Sequence, residues 1–187
     1  MRYSLNKSQS GIYYACVTNS DELVNYQNPV LLEIPQGVNA EQLRKAVYDT
    51  LCAHPYIASH IVLGEDGVPE AESGEFPAME DAVPLVSVDS IEDVKSSFAR
   101  TMDIYADKLY RCELYQTAEG KTWLYIDFHH VIADGFSVVL ILRDIERCFN
   151  GMEPVVEEMD GIAVAREEEA LCADEARMTE ARVRSCW

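Results

Sequence analysis

Apolar and polar residues recur along the chain with two periods, which predict both helices and strands. Apolar residues spaced three or four apart, typical of amphipathic helices, occur in the segments 8–19, 39–54, 90–102 and 136–149. Short apolar or alternating runs, typical of strands, occupy 29–34, 56–63, 84–88, 109–116 and 122–128. The last two runs flank a polar connection at 117–121 and predict a hairpin. The predicted fold class is α/β, a mostly antiparallel or mixed sheet with helices packed on it.

Two segments outside this pattern are acidic. Segment 64–81 is rich in Gly and Glu, lacks Lys and Arg, and is predicted to be a loop. Segment 153–180 combines many acids with only Arg166 and Arg177, and a helix is predicted from about 159 to 183. These segments hold most of the net charge of −18, so the remainder is nearly balanced. The acidity argues against nucleic acid or an anionic membrane as a partner, since both require a basic surface.

Length and composition indicate a soluble domain. The 187 residues are enough for one hydrophobic core. No apolar run reaches the roughly 18 residues of a membrane span, and the first residues lack a signal-peptide core, so a cytoplasmic location is predicted. The six cysteines show neither C-x-x-C nor zinc spacing and are predicted to be free and buried. Neither a metal nor a bound cofactor is expected.

The candidate chemistry lies where the 122–128 strand ends. His129 and His130 follow the strand, and Asp134 and Gly135 precede the 136–149 helix. Histidine titrates near neutral pH, so it can take a proton from an attacking group and return one to a leaving group. Asp134 can orient a ring or neutralise a cation, and Gly135 can adopt backbone angles that other residues avoid. A shared metal is disfavoured because adjacent strand residues point to opposite faces.

These residues also carry a family resemblance. His129, His130, Asp134 and Gly135 form an H-H-x-x-x-D-G pattern that resembles the motif of condensation domains of non-ribosomal peptide synthetases, within the chloramphenicol acetyltransferase-like superfamily. Three further segments resemble other condensation-domain motifs in order and spacing, namely 3–13, 51–57 and 109–114. The resemblance extends over about residues 3–187.

The resemblance implies a chloramphenicol acetyltransferase-like two-layer sandwich. A complete condensation domain is about twice as long and has two lobes around a tunnel. Residues 1–152 are therefore expected to form the N-terminal lobe. Residues 153–187 are expected to form an acidic helical segment that leads to a second lobe, which this chain lacks.

The resemblance also implies a reaction. His130 is the expected catalytic residue for amide bond formation between acyl or aminoacyl groups on the 4′-phosphopantetheine arms of carrier proteins. His129 and Asp134 are expected to be structural, and Gly135 to keep the site open. The expected partners are peptidyl or acyl carrier protein domains and a second lobe, in cis or in trans. Activity of this chain alone is expected to be incomplete.

Asp134 is paired to an arginine in the family. The second motif supplies that arginine, but this sequence has Ala53 and Ala58 at the two positions concerned. Asp134 is therefore expected to use another cation, with Arg2, Arg44, Arg111 and Arg143 as the candidates, or to have none.

Two other functions remain open. A non-catalytic module that docks a carrier protein or a partner lobe would fit the missing arginines and the short chain. A small oligomeric acyltransferase that uses CoA or another thioester would rebuild its site between subunits. In either case, an acidic carrier protein is expected to dock away from 64–81 and 153–180.

Overall fold

The computed structural model describes residues 2–19, 25–98, 100–105, 108–156 and 161–174. Its strands are β1 (Arg2–Ser4), β2 (Val30–Ile34), β3 (His60–Leu63), β4 (Pro69–Glu72), β5 (Leu85–Val88), β6 (Tyr110–Thr117) and β7 (Thr122–Phe128). Its helices are α1 (Lys7–Thr18), α2 (Ala40–Ala53), α3 (Met79–Ala82), α4 (Ile91–Ser96), α5 (Gly135–Phe149) and α6 (Gly161–Ala173).

The strands form two sheets. The larger has the order β2-β7-β6-β5, in which β7 runs antiparallel to both neighbours and β5 runs parallel to β6. The smaller is antiparallel, with the order β1-β4-β3. The predicted α/β class with a mixed sheet is therefore confirmed.

Both faces of the larger sheet are covered. Alternate residues of β6 and β7, including Leu114, Leu124 and Ile126, face the main core, where α2 and α5 bury their apolar stripes. Tyr125 points to the opposite face and packs with Val94 of α4 in a smaller cluster. A strand has only two faces, so this double burial explains why β7 is apolar almost throughout.

The chain differs from the predicted pattern after α2. The backbone forms a 3₁₀ turn at Pro55–Ala58, and β3 begins only at His60, whereas a strand was predicted from residue 56. Proline has no N–H to donate to a helix interior but fits the first helical turn. The turn buries Ile57 and brings Tyr56 beside α1.

The acidic segment 64–81 is more ordered than predicted. It contains β4 and α3, and β4 is the central strand of the smaller sheet. Pro69 and Ala71 are its buried residues, while Glu72 forms an ion pair with Arg2 of β1 at 3.1 Å. Alternation of Ala with Glu is a weak strand signal, which explains why β4 was missed, and β1 is too short to show a pattern.

Helix α6 packs against β1. Ala165 is buried in the main core, and the backbone N–H of Lys7 donates to Glu168 Oε2 at 3.0 Å. At the start of α6, Gly161 lies so close to the ring of Tyr56 that a Cβ at this position would overlap it. The rest of the helix predicted to reach residue 183 lies outside the described residues.

The cysteines follow the prediction only in part. Those described are free, and Cys16 and Cys112 are buried. Cys52 and Cys172 are exposed, so their predicted burial is wrong, and Cys186 lies outside the described residues. Within those same residues, the longest apolar helices are too short or too polar to cross a bilayer.

Candidate functional site

The sequence motifs meet around one cavity of about 710 Å³. The start of α1 supplies Asn6, Ser8, Gln9 and Ile12, and the end of α2 with the following turn supplies residues 52–57. The turn after β7 and the first half of α5 supply His130, Val131, Ile132, Ala133, Asp134, Ser137, Leu140 and Ile141. Val156 and Gly161 complete the lining.

His130 lies in the turn that follows β7. Its backbone N–H donates to the carbonyl oxygen of Tyr26 at 2.8 Å, and its half-buried side chain lines the cavity. The imidazole forms no hydrogen bond with any residue that the structure describes. Its ring nitrogens are therefore available to a molecule in the cavity.

His129 is buried and does not line the cavity. Its Nδ1 accepts a hydrogen bond from the backbone N–H of Val131 at 3.1 Å, so the proton of the neutral ring is on Nε2. Nε2 lies 3.8 Å from the Sγ of Cys16 in α1. Burial, assisted by the neighbouring His130, lowers the pKa of His129 to about 4, so the ring is neutral at physiological pH.

The lowered pKa of His129 predicts acid sensitivity. The unfolded chain, with an ordinary histidine pKa near 6.5, binds the proton more readily than the folded chain. The contribution to stability is therefore complete above about pH 6.5 and is lost progressively between about pH 6.5 and 4, by about 3 kcal/mol in all. We expect His129→Asn to flatten this part of the pH profile in urea unfolding, because an amide oxygen can still accept from Val131. A profile of unchanged slope would contradict the prediction.

Two further side chains hold the turn that carries His130. The buried Gln9 donates from Nε2 to the carbonyl oxygen of Val131 at 2.9 Å and also contacts the hydroxyl of Tyr56. From the other side, Asn28 donates to the carbonyl oxygen of Ala133 at 3.0 Å. The turn is thus fixed by α1 and by the residues that precede β2. Gln9 belongs to one of the sequence motifs, but no role was predicted for it.

Asp134 is the N-cap of α5 and is exposed, not buried in an ion pair. Its Oδ1 accepts from the backbone N–H of Ser137 at 2.8 Å and from the Ser137 hydroxyl at 2.7 Å. These hydrogen bonds lower the pKa of the carboxyl. Among the described residues no arginine forms an ion pair with Asp134, so of the possibilities that the sequence left open, a carboxylate without a cation partner is the one observed.

Three of the four candidate arginines have other partners. Arg2 pairs with Glu72, and Arg44 donates to the carbonyl oxygen of Val83 at 2.7 Å. Arg111 donates to the carbonyl oxygen of residue 100 at 2.6 Å. A carboxylate at a helix N-terminus is already stabilised by the backbone N–H groups there, so it needs no cation.

One of the two roles predicted for Gly135 does not fit the structure. It begins α5 without a positive φ, so no unusual backbone angle requires glycine here, and that expectation was wrong. A Cβ at this position would meet no other atom within 4 Å. Gly135 is not among the residues that line the cavity, and its role in keeping the site open stays a prediction.

Loss of the Asp134 cap has a predictable cost. We expect Asp134→Ala to lower the free energy of unfolding by about 1 kcal/mol, because one N–H at the start of α5 loses its acceptor. Asp134→Ser should retain most of the stability, since serine is also a good N-cap. Urea unfolding of the two variants tests the assignment, and equal losses for both would argue against a capping role.

A second histidine adjoins the cavity. His54, the C-cap of α2, lies with its Nε2 3.0 Å from Asp144 Oδ2 on α5, and both side chains are largely buried. Asp144 Oδ1 accepts from the backbone N–H of Val155 at 3.1 Å. Sequence reasoning did not connect these residues. The available signal was an acid within the apolar stripe of α5, beside Ile141 and Ile145.

Comparison with known proteins supports the family assignment. The Condensation domain family matches residues 1–159. Nonribosomal peptide synthetase NPS2 of Ceriporiopsis subvermispora (strain B) is 28% identical over 151 residues, which cover 75% of this chain and 6% of that protein. Tyrocidine synthase 2 of Brevibacillus parabrevis is 28% identical over 126 residues, which cover 66% of this chain and 3% of that protein.

Solved structures show the same fold. The starter condensation domain of rhizomide synthetase RzmA superposes with a TM-score of 0.79 at 15% identity, covering 100% of this chain and 48% of that one. The first condensation domain of the calcium-dependent antibiotic synthetase gives a TM-score of 0.72 at 19% identity, covering 94% of this chain and 44% of that one. This chain thus spans about half of these solved condensation domains and a small part of its curated relatives. The chain belongs to the condensation-domain family of non-ribosomal peptide synthetases.

Proposed function

We propose that this chain forms the first lobe of an amide-forming acyltransferase, with His130 as the catalytic residue in its cavity. One observation carries the proposal. Three sequence motifs that lie far apart in the chain meet around a cavity into which His130 presents an imidazole without a described protein partner. The buried His129 and the capping Asp134 then support the turn and do not take part in the chemistry.

The proposed reaction joins two groups that arrive on 4′-phosphopantetheine arms of carrier proteins. The acceptor amine attacks the carbonyl carbon of the donor thioester, so that a C–N bond forms and the C–S bond breaks. The amine loses one proton, and the departing sulfur ends as a thiol. His130 lies where it can accept a hydrogen bond from the amine or take its proton, and a histidine suits this at neutral pH.

The proposed site also needs an opposite wall. The cavity opens to the protein surface, and the solved condensation domains are about twice as long as the part this chain matches. We propose that a second lobe, in cis or in trans, covers the cavity and excludes water. Burial of this kind strengthens hydrogen bonds to the reacting atoms.

The proposal is tested with a donor loaded on one carrier protein and an acceptor amine loaded on another. The product amide is followed by mass spectrometry, with this chain alone and with a second condensation lobe joined to it. We expect little product from the chain alone and turnover when the second lobe is present. Carrier binding without product in both cases would favour a docking module, and turnover by a stable oligomer of the chain alone would favour a small oligomeric acyltransferase.

Acidic residues in the segment 64–81 offer a further test of carrier docking. Carrier proteins are usually acidic, so the proposed docking surface lies elsewhere. We expect Glu65→Lys and Glu80→Lys, which change exposed side chains, to alter carrier affinity less than twofold in titration calorimetry. A tenfold change in either variant would place the carrier on this segment instead.

A further inference from the structure

The composition of the cavity wall distinguishes between classes of acyl group. Most of the exposed surface of the cavity wall is apolar and includes Ile12, Pro55, Leu140 and Val156, while Asn6, Ser8 and Ser137 add uncharged polar groups. Behind them lie the buried Ile57 and Ile141. A wall of this kind stabilises a hydrocarbon chain by removing it from water, at about 0.8 kcal/mol for each methylene that becomes fully buried.

The charges around the cavity also favour an uncharged acyl chain. Among the described lining residues there is no Lys or Arg, and the carboxylate of Asp134 lies on the rim. The lining His54 is already hydrogen-bonded to Asp144. A carboxylate on a bound acyl chain would therefore lose its hydration without gaining a cation and would face the charge of Asp134.

We infer that the acyl group held in this cavity has a neutral, apolar side chain or tail, and that carboxylate-bearing acyl groups are rejected. This inference rests on the proposed function, since it assumes that the cavity receives an acyl thioester. It adds the chemical class of the group and assigns the selection to the wall formed by Ile12, Pro55, Leu140 and Val156.

The experiment compares S-acyl pantetheine thioesters that differ only in the acyl chain. Binding to the full chain is followed by NMR titration with acetyl, butanoyl, hexanoyl and glutaryl pantetheine. We expect affinity to rise two- to fourfold per added methylene, and glutaryl pantetheine to bind at least tenfold more weakly than hexanoyl pantetheine, which is similar in length. Equal affinity for these two, or no dependence on chain length, would overturn the inference.

Neighbouring valines provide a matched pair of variants. Val156 lines the cavity, Val155 does not, and their exposures of 62% and 54% make either lysine easy to accommodate. We expect Val156→Lys to improve glutaryl binding at least fivefold and Val155→Lys to change it less than twofold. On α5, Leu140→Lys and Val139→Lys form a second pair, in which only Leu140 lines the cavity. Improvement by both members of each pair would overturn the inference.

The outcomes separate this inference from the proposed function. If no thioester binds to the chain, including acetyl pantetheine, the inference fails, while the product assay with the second lobe joined decides the proposed function separately. If thioesters bind but glutaryl and hexanoyl chains are not distinguished, the cavity is an acyl site and the inferred selection alone is wrong.

Discussion

His130→Ala is expected to lower the rate of amide formation by about 10²- to 10⁴-fold, the range typical of losing a group that exchanges protons with the reacting atoms. The effect should be large because, among the described residues, no other histidine is free to exchange protons with a molecule in the cavity. His129 is buried with its Nδ1 already in use, and His54 is bonded to Asp144. The measurement is a single-turnover assay with loaded carrier proteins and the chain joined to a second lobe.

His60→Ala is the matched control. His60 lies on β3, outside the lining of this cavity, with its Nε2 3.4 Å from the Oε2 of Glu72. We expect its variant to retain the full rate. Carrier affinity is measured for both variants, so that a loss of binding is not mistaken for a loss of chemistry. A His130→Ala protein within threefold of the normal rate would contradict the proposed role.

Asp144→Ala is expected to lower the free energy of unfolding by about 3 kcal/mol. The carboxylate is buried and is hydrogen-bonded to the ring of His54 at the end of α2 and to the backbone N–H of Val155, and the Nε of Arg147 lies 3.9 Å from its Oδ1. Its removal leaves both hydrogen-bonded groups without this acceptor inside the protein, which is costly because neither regains full hydration. Urea unfolding measures the change.

Glu146→Ala is the control for this loss because Glu146 is exposed on the same helix. It should change the stability by no more than about 0.5 kcal/mol. A double-mutant cycle with His54→Ala then isolates the coupling between His54 and Asp144, which we expect to be about 1–3 kcal/mol. A loss below about 1 kcal/mol for Asp144→Ala would mean that water replaces the carboxylate and that the pair does not hold α2 to α5.

The strongly periodic parts of the fold were predictable from the sequence. The hairpin of β6 and β7 and the helix α5 agree with prediction to within a residue or two, because their apolar positions follow the period of the element. The smaller sheet was not predictable. In β4 alternating Pro, Glu and Ala provide little apolar contrast, and β1 is only three residues long, so tertiary pairing determines both strands.

The candidate site was predictable as a set of residues but not as a set of contacts. The motif pointed to His130, which lines the cavity. Gln9 and His54 also line it and lie in segments that resemble other condensation-domain motifs, but no role was predicted for either. The partner of Asp134 stayed open, because a sequence does not show whether a carboxylate is satisfied by a distant arginine or by a backbone N–H group three residues away. The pairing of His54 with Asp144 depends on how α2 and α5 pack, which spacing along the chain does not reveal.

The close approach of Gly161 to Tyr56 links the end of the described chain to the turn that carries His130. Tyr56 is in contact with the amide of Gln9, which is bonded to the carbonyl oxygen of Val131. The phenol ring therefore has a helix backbone on one side and a buried amide on the other, and little room to change its position. A sideways shift of α6 would therefore push the ring of Tyr56 against Gln9. The position of α6 is in this way coupled, through Tyr56 and Gln9, to the turn that carries His130.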